Sequence, residues 1–296
     1  MTYEMPPFRP PSEAYSMLLR VTRGCPWNRC KFCGMYKMFH FETRPVAEIK
    51  ADIDEALRFY GDQPMNVFIG DADSPVIKTD DFVEILRYLH SQFPRIQRVT
   101  SYGRAKTLAL MAPDKLERLR KAGLDRLHLG LETGDAKLLE FINKGATPEH
   151  MIKAGRKVKE AGFELSEYLM LGLGGADGWE SHARKSAAVL NAIDPDFIRV
   201  RTMTLIPGTP FYEAYERGEY KPPTILDMLM EEKLLIECLD GIGSEFHSDH
   251  VSNLVPVFGK FMQDKTEMLE TLAPVIERVE QNKDKLTNEP RIATVM

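Results

Sequence analysis

Six short runs along the chain read as strands: 16–22 (SMLLRVT), 66–70 (NVFIG), 98–102 (RVTSY), 126–132 (RLHLGLE), 164–172 (ELSEYLMLG) and 197–205 (FIRVRTMTL). These strand-like runs alternate with helical ones. Their starts lie about 28 to 50 residues apart, which leaves room for one helix in every interval. The segment 45–60 opens at Pro45, carries Ile49, Ile53, Leu57 and Tyr60 on one face and stops at Gly61. Thr79 or Asp80 is placed to cap a helix over 81–91. Pro113 opens a short helix that ends at Gly123. Thr147-Pro148-Glu149 supplies an N-cap, a proline at the first helical position and an acid, for a helix that ends at Gly162. Asp194-Pro195 closes a helix over 180–192. Repeated βα units of this kind predict an α/β protein with a parallel sheet or barrel over about 16–216. The remainder reads as helical, over 223–240, 254–262 and 264–283, followed by a polar tail. The organisation expected is an N-terminal arm (1–15), a core (16–220) and a C-terminal helical cap (221–296).

Strand faces follow from the two-residue period. In 126–132 the leucines at 127, 129 and 131 share one face, and Arg126, His128, Gly130 and Glu132 share the other. The strand ends are rich in polar residues and glycine: Gly70-Asp71-Ala72-Asp73, Ser101-Tyr102-Gly103-Arg104, Glu132-Thr133-Gly134 and Gly172-Leu173-Gly174-Gly175. Turns carry such residues in any protein, but in βα folds these ends also carry the chemistry.

Composition narrows the class. Hydrophobic residues make up 43% of the 296 and charged residues 28%, which excludes a disordered chain and a coiled coil. The 39 basic and 44 acidic residues give a net charge of −5, which argues against a nucleic-acid partner, since phosphate backbones need clustered cations. No apolar run reaches the roughly 18 residues of a membrane span. The first residues lack the basic and apolar regions of a secretory signal. The expectation is a cytoplasmic protein without a membrane partner.

Four cysteines change the picture, because three of them crowd into Cys25-x4-Cys30-x2-Cys33 while Cys238 stands apart. A disulfide scaffold is short, secreted and cysteine-dense, and this chain is not. Three close thiols suit a metal. A structural zinc could take His40 as fourth ligand. A [2Fe–2S] site of the plant type would need Cys238. A [4Fe–4S] cluster on three cysteines would leave one iron open for chemistry. Cys238, on the helix 223–240, reads as a buried, inert thiol.

A three-cysteine loop after the first strand, ending Cys-x-aromatic-Cys on a βα repeat, resembles the radical S-adenosylmethionine (radical SAM) superfamily over residues 16–216. The run GLETGDAKLLEFINKGAT, followed by a helix and MLGLGG, is most similar to the branch of oxygen-independent coproporphyrinogen oxidase and the methylthiotransferases. The resemblance implies a partial (β/α)6 TIM-type barrel, here with a C-terminal helical extension. It implies a [4Fe–4S] cluster on Cys25, Cys30 and Cys33, and S-adenosylmethionine chelating the open iron. It further implies an external one-electron donor such as flavodoxin or ferredoxin, an oxygen-sensitive enzyme and a 5′-deoxyadenosyl radical that abstracts hydrogen from a substrate. By the same resemblance Phe32 lies near the adenine. The loop Gly70-Asp71-Ala72-Asp73 stands where the family has Gly-Gly-Glu and holds the methionine amino group. Glu132 meets the ribose or methionyl part, and Gly172 and Gly174 border the adenine. The chain departs from the family in having one extra residue between its first two cysteines and in replacing Gly-Gly-Glu.

Substrate-side candidates are Tyr102, His128, Arg199, Arg201, His247 and His250. Arg199 or Arg201 could bind a carboxylate or pair structurally with Glu132, Glu164 or Glu167. His128 could serve the cofactor or be a hydrogen-bonded interior histidine. Met35 and Tyr36 read as walls of the cluster, with Met35 and Met38 as core residues in the bland alternative. His247-Ser-Asp249-His250 could form a substrate lid, bind metal or do acid–base work, or simply cap the helix at 254–262. The expected substrate is a small molecule. The alternatives are an RNA-modifying enzyme and a non-catalytic zinc or Fe–S module.

Overall fold

The computed structural model describes residues 8–285 and 289–293. The elements alternate as their hydrophobic patterns predict. Strands β1 (Met17–Arg20) and β2 (Thr22–Arg23) are followed by β3 (Glu42–Thr43), helix α1 (Val46–Tyr60), β4 (Met65–Gly70), α2 (Thr79–Gln92), β5 (Ile96–Gly103), α3 (Ala105–Leu110), α4 (Pro113–Lys121) and β6 (Arg126–Glu132). Next come α5 (Ala136–Phe141), α6 (Pro148–Glu160), β7 (Glu164–Leu171), α7 (Gly175–Ile193), β8 (Phe197–Thr202), α8 (Pro210–Glu216), α9 (Ile225–Cys238), β9 (Glu245–Ser248), β10 (Val257–Lys260) and α10 (Phe261–Gln281). Strands β1, β4, β5 and β6 pair in that order, and so do β7, β8, β9 and β10. The α/β class with a parallel sheet is therefore as expected.

The chain divides into two compact units. The first takes the described residues up to Asn28, Met35–Leu129 and Lys153–Leu165. In it β1, β4, β5 and β6 pair in parallel, with Leu19 opposite Ile69, Phe68 opposite Thr100, and Tyr102 opposite His128. Leu127 and Leu129 are fully buried on one face of β6, each contributing about 1.5–3 kcal/mol by leaving water. The other face carries an aromatic cluster of Phe68, Tyr102 and His128, with edge-on ring contacts at 5.0–6.2 Å.

The second unit takes Arg29–Gly34, Gly130–Ile152 and the described residues from Ser166 on. Here β7, β8 and β9 are parallel and β10 returns antiparallel to β9. Ile198, Val200, Phe246 and Leu169 are buried on one face. Helix α9 packs on α7, and α10 packs on α9 and β10. Helix α9 opens with a reciprocal capping box between Thr224 and Asp227.

Several boundaries differ from the sequence expectation. The segment expected as a helix over 254–262 forms β10, and α10 starts only at Phe261. Valine and phenylalanine at 255–258 favour the strand once β9 offers it an edge. His247 accordingly sits on a strand and not in a lid loop. Helix α2 begins at Thr79 after Lys78, and neither Thr79 nor Asp80 caps it. Helix α7 begins five residues early, at Gly175. The last predicted strand stops at Thr202. Cys238 is half-buried at the end of α9, not buried. Among the described residues no helix is long and apolar enough to cross a membrane.

Candidate functional site

Strands β2 and β3 pair antiparallel, so the cysteine loop leaves and returns at one neck. Ion pairs close that neck: Arg23 to Glu42 and Glu48, and Arg44 to Glu48 and Asp52, all at 2.6–2.8 Å. Gly24 opens the loop at φ +76, and a Cβ there would stand 3.2 Å from the His40 carbonyl. The Asn28 backbone N–H donates to Cys25 Sγ at 3.4 Å, and its side-chain amide donates to the Tyr36 carbonyl at 2.6 Å. Tyr36 is buried, whereas Met35 and Met38 are exposed, which overturns the core reading of those two methionines.

Cys30, Phe32 and Cys33 belong to the second unit. There the Lys31 N–H donates to the Ile142 carbonyl at 2.8 Å, and Phe211 N–H donates to the Lys31 carbonyl at 3.1 Å. Phe32 packs on a buried cluster of Ile142, Leu173, Met203, Leu205, Phe211 and Tyr220. Cys25, Cys30 and Cys33 are thiols, not disulfides, and partly exposed. Among the described residues no three His, Cys, Asp or Glu side chains already converge as a metal site. In kind, the donor set fits an iron–sulfur cluster: three reduced, accessible thiols on one loop, one of them already accepting a backbone N–H.

At the end of β4, Asp71 and Asp73 have separate partners. Asp71 sits at φ +67, a conformation that costs a non-glycine residue about 1 kcal/mol or more. Its carboxylate accepts from Arg20 at 2.9 Å and from the Gly24 backbone N–H, tying β1 to the start of the cysteine loop. Burial holds its pKa above the ordinary carboxylate value despite Arg20. Asp73 accepts from the Arg104 N–H at 3.0 Å and the Thr107 hydroxyl at 2.6 Å, anchoring the start of α3. Burial pushes its pKa up to about 6, against those two hydrogen bonds.

This shift makes a stability prediction. The folded state keeps the Asp73 proton to about pH 6, while the unfolded chain releases it near 3.8. Folded chains therefore bind more protons in that window, and Asp73's contribution falls as pH rises from about 4 to 6, then stays level. Asp73→Asn should keep the Arg104 bond at its Oδ1, donate its amide to the Thr107 hydroxyl and remove that slope. Urea midpoints of wild type and variant, compared between pH 4.5 and 7.5, check it.

His128 and Tyr102 lie on the other face of the first unit's sheet. His128 is fully buried, with Nε2 3.3 Å from Glu13. Glu13 also accepts from Ser16 at 2.6 Å and pairs with Arg98 at 3.3 Å. Burial raises the Glu13 pKa, but His128, Ser16 and Arg98 outweigh it and leave the carboxyl below its usual range. Glu13 was not among the sequence candidates, since nothing in a Pro-rich arm signals a partner 115 residues away.

In the second unit Glu132 ends β6 at φ +61 and pairs with Lys144 at 2.6 Å. The Lys144 ammonium also lies 6.0 Å from the centre of the Phe32 ring. Gly130 makes this pair possible, because a Cβ there would stand 2.3 Å from Glu132 Oε1. Gly172, at φ +81, is held from both sides: its N–H donates to Glu231 at 2.9 Å and its carbonyl accepts from the Tyr220 hydroxyl at 2.6 Å. Glu231 also contacts His182 Nδ1, whose other nitrogen is 3.3 Å from the Glu132 carbonyl. Gly174 comes within 2.7 Å, at its would-be Cβ, of the Gly178 carbonyl. One buried carboxylate thus fixes the glycine turn and, through His182, the end of β6. Lys144, His182 and Glu231 carried no sequence signal, because their partners lie 12 to 59 residues away.

Arg199 and Arg201 do not pair with the expected acids. Glu164 pairs with Arg126 at 2.7 Å and Glu132 with Lys144. Glu167 is buried on the opposite face, with Oε2 unbonded, and burial drives its pKa well up. Arg199 instead donates to Ser166 at 3.1 Å. Arg201 lies over the Tyr168 ring at 5.4 Å. His247 stands opposite Arg199 in register. His250 bonds Ser252 at 2.8 Å.

Comparison with known proteins places this arrangement. Residues 19–184 match the Radical SAM superfamily. Over 110 residues the chain is 34% identical to the tRNA uridine(34) acetyltransferase of Methanocaldococcus jannaschii, covering 36% of this chain and 20% of that protein. Over 231 residues it is 22% identical to the Heme chaperone HemW of Bacillus subtilis, covering 76% of this chain and 59% of that one. Among solved structures, coproporphyrinogen III oxidase (HemN) from Escherichia coli shares the fold with a TM-score of 0.58 at 17% identity, covering 75% of this chain and 52% of that chain. The matched stretches thus span from 20% to 59% of these relatives' own lengths.

Proposed function

The chain belongs to the radical SAM superfamily, and on that premise we propose that Cys25, Cys30 and Cys33 hold a [4Fe–4S] cluster for hydrogen abstraction from a small-molecule substrate. The observation that carries this reading is the family match across 19–184, which contains all three clustered thiols. Enzymes of this superfamily use that cluster and S-adenosylmethionine. Cys25, Cys30 and Cys33 would hold the cluster, which together with S-adenosylmethionine would supply the one-electron chemistry for hydrogen abstraction from substrate. The electron comes from an external donor such as flavodoxin or ferredoxin.

The chain's own residues position these groups. Asp71 holds the start of the cysteine loop through Gly24. Asp71, bonded to Arg20 and the Gly24 N–H, and Asp73, bonded to the Arg104 N–H and Thr107, are the carboxylates offered to the methionine ammonium. Glu132 and Lys144 serve the polar part of the cofactor. Phe32, Gly172 and Gly174 border its adenine. Anaerobic reconstitution with iron and sulfide should give about four irons per chain, and reductant plus S-adenosylmethionine should then release 5′-deoxyadenosine. Stoichiometric zinc with no cofactor cleavage would sink the reading.

One observation favours a second reading. The stretch 34% identical to a tRNA uridine(34) acetyltransferase supports an RNA-modifying enzyme, against the expectation drawn from the acidic net charge. A gel-shift titration with tRNA from low to high salt separates the two. Binding that weakens steeply with salt selects the RNA reading.

A further inference from the structure

The face of the second unit that carries Arg199 and Arg201 has a chemistry the cofactor roles leave unused. The register lines up Tyr168, Arg199 and His247 across β7, β8 and β9, with Met170 and Arg201 one step on. All five are half-buried, while the opposite face holds the packed Leu169, Ile198, Val200 and Phe246. The segment after β9 is strapped to β8. Ser252 accepts from the Thr202 N–H at 3.1 Å, and Asn253 bonds the Thr202 hydroxyl at 3.1 Å and the Val200 carbonyl at 2.9 Å. That strap brings His250 beside Arg201, whose charge, after burial, lowers the histidine's pKa. Burial and Arg199 do the same to His247.

Arg201 is the informative member. It stacks on Tyr168, and among the described residues it has no acidic partner. A half-buried guanidinium without a carboxylate is a group waiting for an anion, since its fork of donors matches carboxylate and phosphate oxygens. His247 Nε2 is buried, and the Glu245 carboxylate lies 3.5 Å from it. The acids near these groups, Glu245 and Asp249, are exposed at the rim. Phe258, directly opposite His247 on β10, is 68% exposed and offers an apolar wall for an organic body.

We propose that this face binds an anionic group of a small organic substrate, a carboxylate or a phosphate, with Arg201 as the principal cation and Arg199, His247 and His250 beside it. The inference rests on the radical SAM reading for the word substrate, but its test does not use cofactor cleavage. Calorimetric titration of the cluster-loaded full chain with inorganic phosphate and, separately, with glutarate should give saturable binding by at least one. The tighter of the two identifies the group recognised. Arg201→Gln should weaken that binding about tenfold or more, and Arg201→Lys should recover part of it. Arg217→Gln, just after α8, should titrate like wild type. If Arg201→Gln misfolds, Arg201→Lys and His250→Gln carry the comparison. No saturable heat with either probe overturns the proposal, as does unchanged affinity in the Arg201 variants. Displacement of the probe by S-adenosylmethionine overturns it too, because the anion would then be the cofactor's own carboxylate. Binding of tRNA that Arg201→Gln abolishes, with both small probes silent, overturns it in favour of a nucleic-acid face. A failed titration leaves 5′-deoxyadenosine formation untouched, so the two readings fail separately.

Discussion

Cys33→Ala is expected to lose the iron and the cofactor cleavage together, whereas Cys238→Ala keeps both. A cluster held by three thiolates has no spare ligand, so removing one leaves two sulfurs and an unanchored cube. Bound iron should fall from about four per chain to below one, and 5′-deoxyadenosine below detection. Cys238 stands at the end of α9 with the Arg184 guanidinium 3.8 Å from its sulfur, and nothing in that setting calls for a metal. Iron analysis, the ultraviolet–visible spectrum and product chromatography on the two variants, reconstituted side by side, decide the matter. Loss of the cluster from Cys238→Ala would end the three-ligand argument.

Gly134→Ala is expected to destabilise the fold by about 3 kcal/mol or more, at the upper end of what overpacking costs. An added Cβ would stand 2.3 Å from the Lys185 carbonyl oxygen and 2.7 Å from Ser186 Cα, both in the backbone of α7. Backbone cannot rotate aside as a side chain can. The approach is close because the loop docks there: the Gly134 N–H donates to Ser186 Oγ at 2.9 Å, and Asp135 binds Ser181 and Lys185, each at 2.8 Å. For a chain of this size the loss translates to roughly 6–12 °C in Tm. Gly130→Ala is the contrast. Its Cβ would meet only the tips of Glu132 and Lys144, so thermal stability should change by about 1 kcal/mol or less while the Glu132–Lys144 pair is displaced. Thermal unfolding of the two variants distinguishes backbone conflict from side-chain conflict.

The legible parts of this protein are those with a local cause. The strand at 126–132 has the predicted bounds because leucines at every second position bury one face whatever lies around them. Helix α6 starts where Thr147-Pro148-Glu149 requires. The thiol motif was legible because three reactive groups within nine residues are improbable without a ligand. What could not be read were contacts between residues far apart. Glu13 reaches His128, and Glu231 reaches Gly172 and His182, and no periodicity encodes such pairs. The expected helix at 254–262 failed for the same reason: a short apolar run is ambiguous until a neighbouring edge offers it hydrogen bonds.

The amino-acid sequence by itself therefore determined the repeated βα order, the positions of most helices and the three-thiol loop, since each follows from spacing within one or two turns of chain. Only the tertiary structure decided which charges have partners. It showed Asp73 spent on α3, Glu132 on Lys144 and Arg201 on no acid among the described residues. Pairing is settled by distance in space and by the low dielectric of a packed interior, neither of which is written along the chain.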